Sequence, residues 1–256
     1  MSQSHFSELF PVLAERAKES AISRLGFSNL PLRRYLGEVF GRPYGEAGAF
    51  LADPTFEAVF GWQKSQSSMA ELEGSLLSSD LVEAMDNPPD ELVKDYRFAK
   101  DQYVYTHQLE AWKILAQSTP QSLVVASGTG SGKTECFMVP ILDRLVRQRE
   151  KKQGRLVGVR ALFLYPLNAL INSQRERLRA WTQAFGDDIR FSLYNGNTPE
   201  KLRAREQREH GSEVVDRISL RATPPPILVT NATMLEFMLV RTADAKIGRA
   251  SWRERV

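Results

Sequence analysis

The stretch Leu123–Thr134, LVVASGTGSGKT, decides how this chain is read. An aliphatic run, Leu123–Ser127, enters a loop carrying Gly128, Gly130 and Gly132, and Lys133 and Thr134 then open an amphipathic segment. Glycine tolerates the positive φ angles that let successive backbone N–H groups turn toward one anion. A helix beginning at Thr134 adds the positive end of its dipole. In a phosphate loop of this design Ser127, Gly128, Thr129, Gly130, Ser131 and Gly132 surround the phosphates, with Glu135 just beyond. Lys133 reaches the β- and γ-phosphates, and the Thr134 hydroxyl ligates Mg²⁺. Lys133 and Thr134 are therefore the candidate catalytic residues. Ser127 stands where the general pattern begins with glycine. A Gly/Ser-rich turn containing Lys-Thr by chance is the plain alternative, and the strand before and helix after weigh against it.

Outward from the loop, short aliphatic runs alternate with longer amphipathic stretches. Strands are expected at 123–127, 160–165, 189–194 and 227–230. Helices are expected at 134–149, 171–185, 199–210 and from 232 to 240. Residues 211–226, ending in Pro224-Pro225-Pro226, read as a loop. Alternation of this kind predicts an α/β fold with a parallel sheet covered by helices on both faces. Upstream, residues 1–100 read as helical, with apolar residues at helical spacing (Phe6, Leu9, Phe10, Leu13) and no β-rich run. The stretch 68–85 reads as one helix and 86–91 (DNPPDE) as a linker. Three segments result: a helical accessory region at 1–100, a nucleotide-binding region at 101–246 and a short tail at 247–256.

Composition narrows the class. With 42% hydrophobic and 25% charged residues in 256, the chain is an ordinary globular protein rather than a disordered or fibrous one. The lone Cys136 excludes an internal disulfide and points to a reducing compartment, hence to the cytoplasm. Cys136 reads as core; its place near a helix start is the one feature that would lower its thiol pKa, and no catalytic partner for it is visible. No apolar run approaches the roughly 20 residues a membrane helix needs, so no membrane partner is expected. His5, His107 and His210 show no metal-ligand spacing and read as structural or exposed. Phe50, Phe56, Phe60 and Trp62 read as core, and the basic run Lys201–Arg208 as a solvated face. The net charge of +3 includes +2 from Ile247–Val256, so the remainder is near neutral and charge says little about partners.

The wording SGTGSGKT resembles motif I of superfamily 2 DEAD/DEAH-box helicases, and further segments agree in order. Tyr105-Thr106-His107-Gln108 resembles the Q-motif, in which the Gln108 amide reads the adenine edge and Tyr103 or Tyr105 packs on the base. Tyr165-Pro166-Leu167-Asn168-Ala169-Leu170, with Gln174 following, resembles motif Ia. There the turn at Pro166 and Leu167 meets a nucleic-acid phosphate, and Asn168 and Gln174 add side-chain bonds. Thr230-Asn231-Ala232-Thr233-Met234-Leu235-Glu236 resembles motif Ib, where Thr230 also suits a helix cap. Tyr194-Asn195-Gly196-Asn197-Thr198 resembles a smaller motif whose Gly196 turn faces nucleic acid. The wording is similar to that of large bacterial helicases of DNA repair and anti-phage defence. The resemblance implies a RecA-like domain, ATP with Mg²⁺, and nucleic acid as partner, DNA rather than RNA, with repair- or defence-system proteins as further partners. Two other readings stay open: a double-strand DNA translocase that never separates strands, and a non-hydrolysing ATP- and nucleic-acid-binding module.

Members of this family continue to a strand ending in Asp-Glu-x-His, the Walker B carboxylates, and no Asp-Glu pair follows the phosphate loop here. Asp90-Glu91 lies beside Pro88-Pro89 and reads as solvated. The tail IGRASWRERV resembles translated sequencing adapter, the alternative being a genuine basic helix end. The expectation is a truncated front half that binds nucleotide and hydrolyses it poorly. Sequencing the source DNA past the codon for Ala245 checks it. A frame running on to Asp-Glu-x-His supports truncation. A frame ending at Val256, or brisk ATP turnover by the purified chain, contradicts it.

Overall fold

In the computed structural model the described residues are 4–26, 28–55, 61–119, 121–203, 207, 210–245 and 247, with backbone alone for 4–7. The chain divides into two compact units, Met1–Gly61 and Trp62–Val256. The first contains helix α1 (Ser4–Arg24) and helix α2 (Leu30–Phe40). Asn29 starts α2 by accepting from Leu32 N (3.1 Å), and Pro31 fits the first turn, where a helix lacks N–H partners anyway. The helical spacing is realised as helices but not as a core. Leu9, Val12 and Leu13 are exposed and α2 buries no residue. Phe50 stacks on Phe40 at 4.4 Å yet stays exposed, contrary to its reading as core. Phe56 and Phe60 lie outside the described residues.

The second unit opens with a departure from the all-helical expectation. Strand β1 (Lys64–Ser68) follows Trp62, and its sequence KSQSS carries no apolar alternation. It is a strand because Tyr103–Tyr105, strand β2, pairs with it antiparallel, a partner 35 to 41 residues away. Between them lie helices α3 (Met69–Leu72), α4 (Ser79–Asp86) and α5 (Val93–Tyr96). The expected helix over 68–85 breaks at Gly74, whose φ of 73° ends the first piece. Ser68 and Glu71 form a reciprocal capping box on α3. Asp90 and Glu91 are exposed, while Leu92 beside them is buried. Met69, Leu81, Val82 and Met85 join one core with residues beyond 100, so contacts draw the boundary at 61 rather than at the Pro-Pro punctuation.

Helix α6 (Thr106–Leu115) precedes the glycine loop and helix α7 (Lys133–Lys152) follows it. Next come β3 (Ala161–Leu164), α8 (Asn168–Ser173), α9 (Arg175–Thr182), β4 (Phe191–Leu193), α10 (Arg217–Ala222), β5 (Ile227–Thr230) and α11 (Ala232–Val240). The sheet order is β3-β5-β4, all parallel. Side chains alternate across it. Ile227 and Val229 enter the large core with Phe163 and Phe191, and Leu228 joins a second cluster with Tyr194, Leu220, Met234 and Met238. Buried Asp244 ties the segment after α11 to that second cluster, accepting from Arg221 Nε (2.8 Å) and Tyr194 OH (3.2 Å).

Three expectations need correction. Residues 123–127 form no strand: β5 is flanked by β3 and β4, and no described strand pairs with this segment. The alternation survives without a ladder, since Leu123 and Val125 pack on the core while Val124 is 92% exposed. The loop expected at 211–226 contains α10, capped by Asp216 accepting from Ser219 N (2.8 Å). Residues 201–203 of the expected charged helix are not helical, and 204–206, 208 and 209 lie outside the described residues, as does the tail from 248.

Trp181 on α9 is 2% exposed and donates to Tyr96 O (2.9 Å), joining α9 to α5. Trp181→Ala is expected to cost about 3–5 kcal/mol. A urea titration should show a lower midpoint with an unchanged slope. An unchanged midpoint would contradict this packing.

Candidate nucleotide site and nucleic-acid rim

The glycine loop is a curled backbone with Gly130 at φ 81° and Gly132 at φ 77°. Gly132 immediately precedes the first residue of α7, and a Cβ there would collide with Gln108 Nε2. Lys133 folds back into the curl and donates to Ser127 O (2.8 Å) and Gly128 O (2.7 Å). The ammonium thus occupies the concavity where an anion would sit, held by two weak acceptors that a phosphate would outbid. Ser127 and Ser131 hydroxyls bond each other across the loop, Thr129 and Gly130 are exposed, and Thr134 is half-buried in the first turn of α7. This donor set fits a nucleoside triphosphate: backbone 128–134 and Lys133 would hold the phosphates, and Thr134 would offer its hydroxyl to Mg²⁺.

Helix α6 fastens the loop from behind. His107 Nε2 donates to Ser131 O (2.8 Å), Gln108 Nε2 to Gly132 O (3.2 Å) and Trp112 Nε1 to Glu135 O (2.9 Å). Gln108 is buried, and its Oε1 accepts from Tyr105 N (3.0 Å). In this structure its amide supports the loop instead of facing an open base site. Trp62, read from sequence as core, is half-buried and lies on the loop, 3.6–3.7 Å from where side chains on Gly128 and Gly130 would begin. Tyr105 meets Trp62 edge-on at 6.2 Å and stacks on His107 at 5.7 Å. Tyr103 is exposed. Nothing in the local sequence links Trp62 to a loop more than 60 residues away.

The parallel strands deliver the remaining motifs to one edge, their carboxyl ends, where open α/β sheets place ligands. After β3, Pro166, Leu167 and Asn168 are exposed. After β5, Asn231 Nδ2 donates to Asn168 Oδ1 (2.9 Å), joining the two loops, and Asn231 Oδ1 caps α11 by accepting from Met234 N (2.8 Å). The cap is therefore Asn231 and not Thr230, whose buried hydroxyl donates to Tyr194 O (2.6 Å). After β4, the exposed Gly196 sits in a turn held by Thr198 and by Arg217, whose Nε donates to Thr198 O (2.8 Å). Gln174 does not reach the rim. It is buried, donating to Ser173 Oγ and accepting from Arg177 Nη1 (both 3.0 Å).

Cys136 is fully buried, as its reading as core expected, and the helix start does not lower its thiol pKa. Burial, and then the Glu135 carboxylate, push it up to about 11, against a weaker pull from its backbone hydrogen bond and Lys133. Among the described residues no three His, Cys, Asp or Glu side chains are grouped as a metal site, and no helix is long and apolar enough to cross a membrane. At pH 8 the raised pKa alone leaves about a hundredfold less thiolate than an unperturbed cysteine has. A maleimide should label Cys136 at least that much more slowly in native buffer than in urea. Comparable rates would place the thiol at the surface.

Residues 105–246, more than half of the chain, match the DEAD/DEAH box helicase family. The Druantia protein DruE of Escherichia coli is 38% identical over 120 residues, which are 41% of this chain and 6% of DruE. The uncharacterized ATP-dependent helicase YprA of Bacillus subtilis is 30% identical over 105 residues, 41% of this chain and 13% of YprA. A crystal structure of the helicase MrfA bound to DNA and AMPPNP is similar with a TM-score of 0.47 at 21% identity, over 74% of this chain and 21% of that one. The chain thus spans a small part of the length of each relative. With motifs in family order from Gln108 to Asn231 and a match across more than half its residues, the chain belongs to the DEAD/DEAH box helicase family.

Proposed function

We propose that this chain binds ATP with Mg²⁺ at the 127–135 loop and a nucleic-acid strand at the sheet rim, as the first RecA-like portion of an ATP-dependent helicase. Lys133 carries the reading: its ammonium sits inside a glycine-lined curl at the start of α7, bonded among the described residues to backbone carbonyls alone. Family membership, and relatives named as ATP-dependent helicases, support ATP as the nucleotide. Bound ATP supplies the phosphoryl-transfer energy. The chain's own residues bind and orient it. Lys133 leaves Ser127 O and Gly128 O for the phosphates, α7 aims its N-terminus at them, and α6 keeps the loop from collapsing.

Nucleic acid is assigned to Pro166, Leu167 and Asn168, to Gly196, and to Asn231, which share one edge. Thr230 and Gln174 act from beneath, holding the rim in place rather than touching the strand. DNA is the proposed strand, on the wording of the YPLNAL and TNATMLE blocks. Proteins of a repair or defence system are the proposed further partners. Residues 62–100 serve the nucleotide domain's core, and Met1–Gly61 is a separate accessory unit.

Lys133→Ala should abolish binding of a fluorescent ATP analogue while far-UV circular dichroism stays unchanged. Surviving nucleotide affinity would refute the assignment of the loop. Asn168→Ala combined with Asn231→Asp should weaken binding of a labelled single-stranded DNA at least about tenfold at fixed salt, from two lost contacts and an added like charge. Equal loss on single-stranded RNA of the same length, with equal starting affinities, would overturn the choice of DNA.

A further inference from the structure

Between the nucleotide loop and the rim lies Arg177, which no motif includes. Its Nη2 is 3.3 Å from Glu135 Oε1 and its Nη1 donates to Gln174 Oε1 (3.0 Å). The guanidinium lies 5.9 Å from the ring centroids of both Tyr96 and Trp181, which confine it. Glu135 stands on the first turn of α7, two residues after Lys133, and its other oxygen comes within 3.1 Å of where a side chain on Gly132 would begin. Gln174 is the joint between α8 and α9, and it bonds Ser173, whose hydroxyl holds Leu170 O (2.8 Å). Helix α8 begins at the exposed Asn168. One guanidinium therefore touches the base of the phosphate loop with one nitrogen and the rim's supporting helix with another.

We propose that Arg177 is a positioning residue that couples nucleotide occupancy to the nucleic-acid rim through Glu135 and Gln174. The proposal rests on the two sites assigned above. A triphosphate arriving at Lys133 puts several negative charges, and its Mg²⁺ positive ones, beside Glu135. The carboxylate's preferred position then changes. Arg177 is a planar fork with fixed donor directions, so it cannot follow Glu135 and keep its bond to Gln174 unaltered. The Tyr165 hydroxyl at the end of β3 is buried with no hydrogen-bond partner among the described residues, and the charges it feels are those of Arg177 and Glu135. Coupling of this kind is reciprocal: whatever nucleotide does to the rim's affinity, nucleic acid does to the loop's.

The test measures the coupling itself, which a salt bridge that merely holds two helices together would not set. On the full chain, the Kd of a fluorescent non-hydrolysable ATP analogue with Mg²⁺ is measured with and without saturating single-stranded oligothymidylate. The unaltered chain should show a ratio of about fivefold or more. In Arg177→Gln the ratio should fall to near one, with either Kd alone changed less than about threefold. Arg177→Lys keeps the charge toward Glu135 but lacks the fork, and should lose most of the ratio as well. Circular dichroism and the urea midpoint verify that each variant is folded. If Arg177→Gln fails to fold, Arg177→Lys decides alone. A folded variant that keeps the full ratio overturns the proposal, as does an unaltered chain that binds both ligands with a ratio of one. An unaltered chain that binds neither ligand overturns the site assignments themselves, an outcome distinct from lost coupling.

Discussion

Three hydrogen bonds from one helix shape the glycine loop. His107, Gln108 and Trp112 of α6 each take a carbonyl at the junction of loop and helix, those of Ser131, Gly132 and Glu135. The segment before the loop has no ladder to hold it, so the loop's curvature rests on α6 and on the first turn of α7. Buried carbonyls must find donors. Here the donors are side chains whose own positions are set by core packing, with Trp112 fully buried and Gln108 nearly so. Gly132 completes the arrangement, because a side chain there would displace the Gln108 amide.

The same logic extends to the rim. β5 is buried at every residue and hydrogen-bonded on both sides, which makes it the rigid axis of the sheet. Its neighbours end at the same level, so three loops from distant parts of the chain converge. Asn168 and Asn231 meet directly, and Thr230 and Arg217 fix the turn after β4 from below. Thr198, Thr230 and Gln174 beneath the rim are satisfied by protein partners, and Pro166, Leu167, Asn168 and Gly196 at its surface are exposed. That division separates the residues that position the edge from those free to contact a strand.

Much of this was legible from local pattern. Strand 227–230 and helix 232–240 have the bounds read from the sequence, and the α7 helix and the strands at 161–164 and 191–193 fall within a few residues of theirs. These features depend on neighbours three or four positions away: an apolar run for a buried strand, a capping side chain such as Asn231, glycines where φ must be positive. The reading of Asp90 and Glu91 as solvated also holds, since both are exposed.

By itself, the sequence determined the glycine loop, its following helix, the alternating elements and the order of the motifs, because each is written in contiguous residues. The tertiary structure alone decided the rest. KSQSS became a strand because a distant YVY offered it a ladder, whereas LVVAS packs Leu123 and Val125 on the core with no described strand pairing with it. Trp62 moved from core to loop cover, Gln174 from rim to interior, and Arg177 to the place between two sites. In each case the deciding partner lies across the fold, and hydrogen-bond direction and burial are properties of that meeting rather than of either sequence segment.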